Sequence, residues 1–277
     1  MTVAPDEINE GNAEIEGDKP PFRRTWILGT PVSIISMKQI LRLFEEWLTN
    51  NHDRSVVLRD VHGVMLARND IQLQKAHEKA DLVAPDGMPL VWVARLAGFG
   101  EISRVCGPDL LSAVCTYGIS RGWRHYFYGG APGVAETLEE KLTTKYPGIK
   151  IIGTQCPPFR SLTLEEDEIA CAAIRAARPH FVWVGLGTPK QEVWMAEHRG
   201  KCGGAVLLGI GAAFDIHAGF VSRAPIWMQS FGLEWAYRLA HEPRRLWRRY
   251  LKLAPIFLFL ALWELITKRT SYPLANR

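Results

Sequence analysis

The sequence holds no D-x-D pair, no G-x-G-x-x-G fingerprint and no Walker loop. Without D-x-D there is no usual carboxylate tether for a divalent cation on a sugar nucleotide, so a metal-free site built on N–H donors and arginines is expected. Without the glycine fingerprint and an acidic residue placed after it, a dinucleotide-dependent oxidoreductase is disfavoured. Cysteine is sparse: Cys106, Cys115, Cys156, Cys171 and Cys202 make an odd set of five with no C-x-x-C spacing. That leaves no sequence-evident disulfide framework or zinc site and fits buried or partly buried thiols in a reducing cytoplasm. Residues 1–20 carry Asp6, Glu7, Glu10, Glu14, Glu16 and Asp18 but almost no large apolar residue, and a disordered acidic lead-in is expected there. It lacks the basic start and apolar h-region of a secretory signal.

Long apolar runs are missing too. The greasiest stretch, between Lys252 and Glu264, has eleven uncharged residues, short of the roughly 18 to 20 that cross a bilayer. It follows Arg238, Arg244, Arg245, Arg248 and Arg249, and from Ser222 to Arg277 ten Lys or Arg face three Glu, a net +7 against +4 for the whole chain. Basic residues near an anionic leaflet contribute about 1 kcal/mol each, and an inserted apolar face adds to that. The pattern predicts a helical, basic appendage over 222–277, attached peripherally to the cytoplasmic face of the cell membrane at its inner leaflet. A core or oligomer contact and a nucleic-acid patch are the other readings of this composition. Membrane is preferred and no nucleic-acid partner is expected.

From Trp26 to about Gly211, short apolar runs alternate with amphipathic stretches. This is the order of an α/β domain with a mainly parallel sheet, taken here as residues 21–221. Candidate strands are Trp26–Leu28, Ser55–Leu58, Leu82–Ala84, His125–Tyr128, Ile149–Thr154, Phe181–Val184 and Ala205–Gly209. Ile40, Leu41, Phe44, Trp47 and Leu48 recur at helical spacing, Pro108 and Asp109 suit a first helical turn, and Thr163 with Glu166 resembles a capping box.

Ligands of open α/β sheets bind beyond the carboxyl ends of the strands, which directs attention to four loops. Pro85-Asp86-Gly87 puts a carboxylate at a strand end, where it is either functional or a helix N-cap. Gly129-Gly130-Ala131-Pro132-Gly133 is a strand-to-helix turn whose N–H groups suit a diphosphate, or a purely structural turn. Gly185-Leu186-Gly187-Thr188-Pro189-Lys190-Gln191-Glu192 offers close backbone approach plus the polar reach of Lys190 and Gln191. The segment 209–219 brings Asp215 and His217, for which structural roles are at least as good a reading.

In order along the chain, P-D-G at 85–87, R-V-x-G-x-D-L at 104–110, G-G-x-P-G-V at 129–134, G-L-G-x-P-K-Q-E at 185–192, G-A-x-F-D-x-x-A-G at 211–219, R-A-P at 223–225 and G-L-E-W-x-Y-R-L-x-x-E-P-R-R-L-W-R-R-Y at 232–250 resemble the WecG/TagA/CpsF glycosyltransferase family. The resemblance covers about residues 25–255. It implies a Rossmann-like core, a C-terminal appendage that closes over the site, and inverting transfer without metal or cofactor. The sugar would pass from UDP to a sugar carried on a polyprenyl diphosphate. By the same resemblance Asp86 is the general base, Arg104 binds acceptor or diphosphate, and Gln191 is the polar active-site glutamine. Gly129, Gly130, Gly185, Gly187 and Lys190 fall in nucleotide-binding segments, and Arg238, Arg244, Arg245 and Arg248 face the acceptor diphosphate and the membrane.

The family's usual T-x-N after the second strand is Leu58 and Asp60 here, and Asp60 becomes a second candidate catalytic carboxylate. The replacement resembles the GumM-like, exopolysaccharide-type branch and implies a hexose or hexuronic acid donor. The alternatives are an N-acetylmannosamine transferase of the teichoic acid or enterobacterial-antigen type, or a non-catalytic, membrane-recruited nucleotide sensor. The oligomeric state is left open, a homo-oligomer included.

Overall fold

The computed structural model describes residues 22–50 and 53–268. The acidic stretch 1–20, expected to be disordered, lies outside the described residues. Six strands form one parallel sheet: β3 (Arg54–Arg59), β4 (Leu82–Pro85), β5 (Arg124–Gly129), β6 (Lys150–Gln155), β7 (Phe181–Gly185) and β8 (Val206–Gly209), in the order β4-β3-β8-β7-β5-β6. Each matches a strand expected from the sequence. Because every pairing is parallel, the loops after β3, β4, β5, β7 and β8 all open on one edge.

Alternate residues along each strand enter different cores. Val56, Leu58, Phe127, Trp183 and Leu208 pack on one face with the helices Met37–Thr49, Gly107–Gly118 and Val134–Lys145. Val57, Tyr128, Val182, Val184 and Leu207 pack on the other with the helices Leu164–Ala177 and Lys190–His198. Burial on both faces is what a doubly wound sheet requires. The Thr163–Glu166 capping box is present, with Thr163 N–H donating to Glu166 at 2.9 Å and Glu166 N–H to the Thr163 hydroxyl at 3.2 Å. Trp183 donates to His125 Nδ1 at 3.1 Å, and burial pushes that imidazole down to about 3, so His125 is a neutral core acceptor.

Trp26–Leu28 behaves differently from expectation. It belongs to β1 (Arg24–Ile27), which turns back on β2 (Thr30–Ser33) as a separate antiparallel hairpin. Leu28 and Gly29 both have positive φ, 49° and 80°, giving the two-residue turn whose twist suits a tight hairpin. β2 was not expected, since Thr-Pro-Val-Ser is short and contains a proline; an edge position tolerates both. The hairpin covers the outer edge of the sheet, where the Ser33 hydroxyl accepts the Val83 N–H at 3.1 Å.

Beyond Gly219 come short helices, Ile226–Ser230 and Glu234–His241, and then a helical stretch running unbroken from Pro243 to Thr267. Its 25 residues are enough, by length and composition, to cross a membrane, more than the count between flanking charges suggested. One side is committed to protein: Phe257 and Ala261 are fully buried among Ile27, Val64, Leu90, Val91 and Ala94, and Glu264 accepts the Leu28 N–H at 2.8 Å. The opposite side leaves Ile256, Phe259, Leu262, Trp263 and Ile266 exposed. Deleting a fully buried Phe side chain costs about 3–5 kcal/mol. Phe257→Ala is therefore expected to release the last helix, seen as faster amide hydrogen exchange over residues 254–267 with exchange in the six-stranded sheet unchanged.

Candidate active site

A cavity of about 1550 Å³ opens above the carboxyl ends of the strands, between the sheet and the appendage. Its floor is prepared by a buried ion pair. Arg59, at the end of β3, pairs with Glu192 in the helix Lys190–His198, and both side chains are almost wholly buried. A Cβ on Gly63 would collide with that guanidinium, so the glycine makes room for it. Glu192 also accepts from the Thr188 hydroxyl at 2.9 Å and from Gln191 Nε2 at 3.1 Å. Two ionised groups out of water stabilise the fold only when their other hydrogen bonds are met; here the contacts gather on Glu192 Oε1, while Glu192 Oε2 and Arg59 Nη1 are buried without a partner. The network also fixes the Gln191 amide: the N–H₂ faces Glu192, and Oε1 is left buried at the cavity wall without a partner.

The loops after β3 and β4 are zipped together, the Asp86 N–H donating to the Arg59 carbonyl at 2.7 Å. This brings Asp60 and Asp86 to the cavity side by side, in different states. Asp60 caps the helix Val61–Ala67, accepting the Gly63 N–H at 2.9 Å, and pairs with Arg249 of the appendage. Burial opposes its ionisation, but Arg249, the Gly63 N–H, Arg59 and His62 outweigh it and hold the carboxyl well below the usual range. Asp86 does not cap its following helix, whose N-cap is Gly87. Burial, aided by Asp60 and Glu234 and opposed by Arg104 and Arg249, pushes the Asp86 carboxyl up to about 6. A group that ionises near neutrality beside one that is permanently charged is the usual division between a proton acceptor and an electrostatic partner.

Arg104 Nε donates to the Asp86 carbonyl at 2.6 Å, and its Nη2 lies 2.7 Å from Glu234 of the appendage. Among the described residues, Asp167, Cys171 and His198 form a group of potential metal ligands, their ligand atoms within 4.8 Å of one another. It sits between the two helices that follow β6 and β7, whereas Asp86 follows β4 at the opposite edge of the sheet. There the His198 ring already meets the Trp194 carbonyl at 2.7 Å and Asp167 at 2.8 Å.

The profile of the Glycosyl transferase WecG/TagA/CpsF family matches residues 25–271. The chain belongs to this family. A Bacillus subtilis (strain 168) relative, named N-acetylglucosaminyldiphosphoundecaprenol N-acetyl-beta-D-mannosaminyltransferase, is 34% identical over 194 residues, 70% of this chain and 73% of its own length. A relative of the same name from Bacillus spizizenii (strain ATCC 23059 / NRRL B-14472 / W23) is 36% identical over 174 residues, 63% of this chain and 65% of its own length, just under two thirds.

Most of the residues expected for this glycosyltransferase family site converge: Asp60, Asp86, Arg104, Gly130, Gly185, Gly187, Lys190, Gln191, Arg238 and Arg245 all line the cavity. Gly129 lies just beneath, where a Cβ would meet the Gly185 backbone at 2.7 Å; its role is the close approach of β5 and β7. Arg244 and Arg248 are exposed and outside the cavity lining, Arg248 lying over the Trp247 ring at 5.4 Å. In their place stand Arg249 and Tyr250, carried by a π-helical turn over Arg248–Leu253. Such turns recur at functional sites, and nothing in the sequence marks this one. Asp215, whose carboxyl burial raises against the pull of Arg245, lines the cavity as well. The sequence carries no signal for Glu234 and Arg223, which pair with each other and also with Arg104 and Asp109, 130 and 114 residues away.

The Asp86 state has a stability signature. Its carboxyl titrates near 6 in the fold against an ordinary 3.8, so the unfolded chain gives up the proton first and stability falls as pH rises through that window. Asp86→Asn removes this penalty. The variant is expected to melt above wild type at pH 7.5, with the gain vanishing below about pH 4, in paired thermal melts across pH.

Proposed function

We propose that the protein is an inverting glycosyltransferase that moves an N-acetylmannosaminyl group from its UDP donor to N-acetylglucosamine carried on a polyprenyl diphosphate. The observation that carries the reading is the Asp86 carboxylate, held near neutral titration at the mouth of a large cavity in a chain of this family. The names of the two Bacillus relatives support the N-acetylmannosaminyl group and the lipid-linked acceptor. Asp86 takes the proton from the acceptor hydroxyl as that oxygen attacks the anomeric carbon from the face opposite UDP. The C–O bond to UDP breaks with inversion, and the leaving diphosphate is met by N–H groups of the Gly130 and Gly185–Gln191 loops and by Lys190, in place of a metal. Gln191 Oε1, lacking a partner, is an acceptor for a donor-sugar hydroxyl or amide N–H. Arg238 and Arg249 each have a buried Nε without a partner and, with Arg245, suit the acceptor's diphosphate.

The exposed face of the last helix, with Trp247 and Leu251, lies on the inner leaflet of the membrane and the protein acts there as a peripheral enzyme. This brings a lipid-borne acceptor to the open side of the cavity. A second reading, a hexosyl or hexuronosyl donor for exopolysaccharide synthesis, is favoured by Leu58 and Asp60 at the end of β3. It is the weaker of the two, because Asp60 is already engaged by Arg249 and by its own helix.

Mass spectrometry of the lipid product, with UDP-N-acetylmannosamine, UDP-N-acetylglucosamine, UDP-glucose and UDP-glucuronate offered against polyprenyl-diphosphate-N-acetylglucosamine and polyprenyl-diphosphate-glucose, tests the reading. Addition of N-acetylmannosamine to the N-acetylglucosamine acceptor is expected. Transfer of a hexose or hexuronic acid alone selects the second reading, and no transfer to either acceptor rejects both. Asp86→Asn is expected to lower kcat by about 10²- to 10⁴-fold with UDP binding intact, the usual worth of a general base. Wild-type kcat/KM should fall below about pH 6, where Asp86 takes up its proton.

A further inference from the structure

Two ion pairs cross between the appendage and the loops beside Asp86, and they run in opposite senses. At one, the appendage supplies the cation, Arg249, to Asp60. At the other it supplies the anion, Glu234, to Arg104. The second pair leaves Arg104 with a choice. Its Nη2 is 2.7 Å from Glu234 but 3.9 Å from the Asp86 carboxylate. The guanidinium is tethered beside Asp86, because Nε donates to the Asp86 carbonyl at 2.6 Å, yet its charge is turned toward the appendage. Glu234 is itself held from behind: Arg223 reaches its other oxygen at 3.4 Å and is anchored to Asp109 at 2.5 Å on the helix Gly107–Gly118.

We infer that Glu234 is a positioning residue for the base: by drawing the Arg104 guanidinium onto itself, it holds that cation 3.9 Å from the Asp86 carboxylate, beyond hydrogen-bond reach, and does so only while the appendage is seated on the core. The inference rests on the reading of Asp86 as general base. The charged groups that bear on Asp86 are Arg104, Asp60, Glu234 and Arg249, with the Cys106 thiol close by. Asp60 and Arg249 are paired with each other, so the division of Arg104 between Glu234 and Asp86 is the adjustable element. An arginine in contact with a carboxylate lowers its pKa by about 1 to 3 units, and a base so paired is both weaker and hydrogen-bonded through the lone pair it must use. Without a seated appendage Arg104 turns to Asp86 and the base is masked. Seating the appendage, which also brings Arg249 to the cavity, unmasks it. Base strength and lid position are then one equilibrium.

The test is the pH dependence of kcat and KM for the full-length protein with UDP-N-acetylmannosamine and polyprenyl-diphosphate-N-acetylglucosamine. In Glu234→Gln the acid limb is expected to move down by about one pH unit or more and the plateau of kcat to fall about tenfold, with donor KM little changed. Glu234→Asp keeps the charge one methylene further from Arg104, and should shift the limb less in the same direction. In an Arg104→Gln background, Glu234→Gln should move the limb by much less, only by the loss of direct repulsion between the two carboxylates. A limb that stays put in Glu234→Gln leaves Glu234 only a role in holding the appendage, and a limb that moves equally with and without Arg104 leaves it only direct repulsion of Asp86; either result overturns the inference. Asp86→Asn run alongside separates the two layers. If it is inactive and the Glu234 variants keep the wild-type limb, Glu234 is wrongly assigned; if it retains turnover, the base assignment falls and this inference with it.

Discussion

On the proposed reading Asp86 is the base, which requires nearby cations to leave its carboxylate without a direct hydrogen bond, and the ion pairs around the cavity fit that constraint. Asp86 sits in a neighbourhood rich in arginine, which suits the diphosphate of the proposed acceptor, and each of those arginines would also neutralise Asp86. The structure resolves the conflict by giving cations other partners: Arg249 goes to Asp60, Arg104 and Arg223 to Glu234, and Arg59 to Glu192. On the proposed function, Asp60 and Glu234 occupy arginines until an anionic ligand arrives, so that the cavity is charged enough to bind phosphate without masking its base.

Beneath this layer the Arg59–Glu192 pair carries a different load. Burying both charges is expensive, and hydrophobic replacements of equal volume would often be neutral or better for stability alone. What the pair provides is orientation: Glu192 accepts from the Gln191 amide and turns its carbonyl oxygen to the cavity wall. Glycines at 209 and 211 keep space for that amide, since a Cβ at either would meet it at 3.1 and 3.3 Å. The floor of the site thus trades some stability for a defined hydrogen-bonding pattern.

Sequence reasoning reached the parts of this arrangement that are local. The six sheet strands are apolar runs, the loops that follow them carry the glycines and Asp86, and the expectation that ligand-binding groups gather at strand ends follows from topology alone. It failed where the decisive partner is remote. Asp60 reads from the sequence as a second carboxylate at a strand end, and its pairing with Arg249, 189 residues later, has no signal there. In the run Arg244-Arg245-Leu246-Trp247-Arg248-Arg249, which arginines face inward depends on helix phase, and the π-helical turn resets that phase in the middle of the run. The greasy segment after it was counted between flanking charges, whereas Glu264 is turned in to cap the hairpin turn at Leu28 and does not interrupt the apolar outer face.

The span of these contacts has a consequence for when the cavity is completed. Arg104 with Glu234, Asp60 with Arg249, and Leu28 with Glu264 join positions separated by 130, 189 and 236 residues. Every one of them joins an early segment to one synthesised much later. Contacts of such long sequence separation form late, because the intervening loop must close before they repay it. A nascent chain on the ribosome can complete the sheet and its glycine-rich loops while the groups that finish the cavity are still unmade. The cavity is completed only with the helix Ala254–Lys268, and the exposed apolar face of that helix is presented at the same moment.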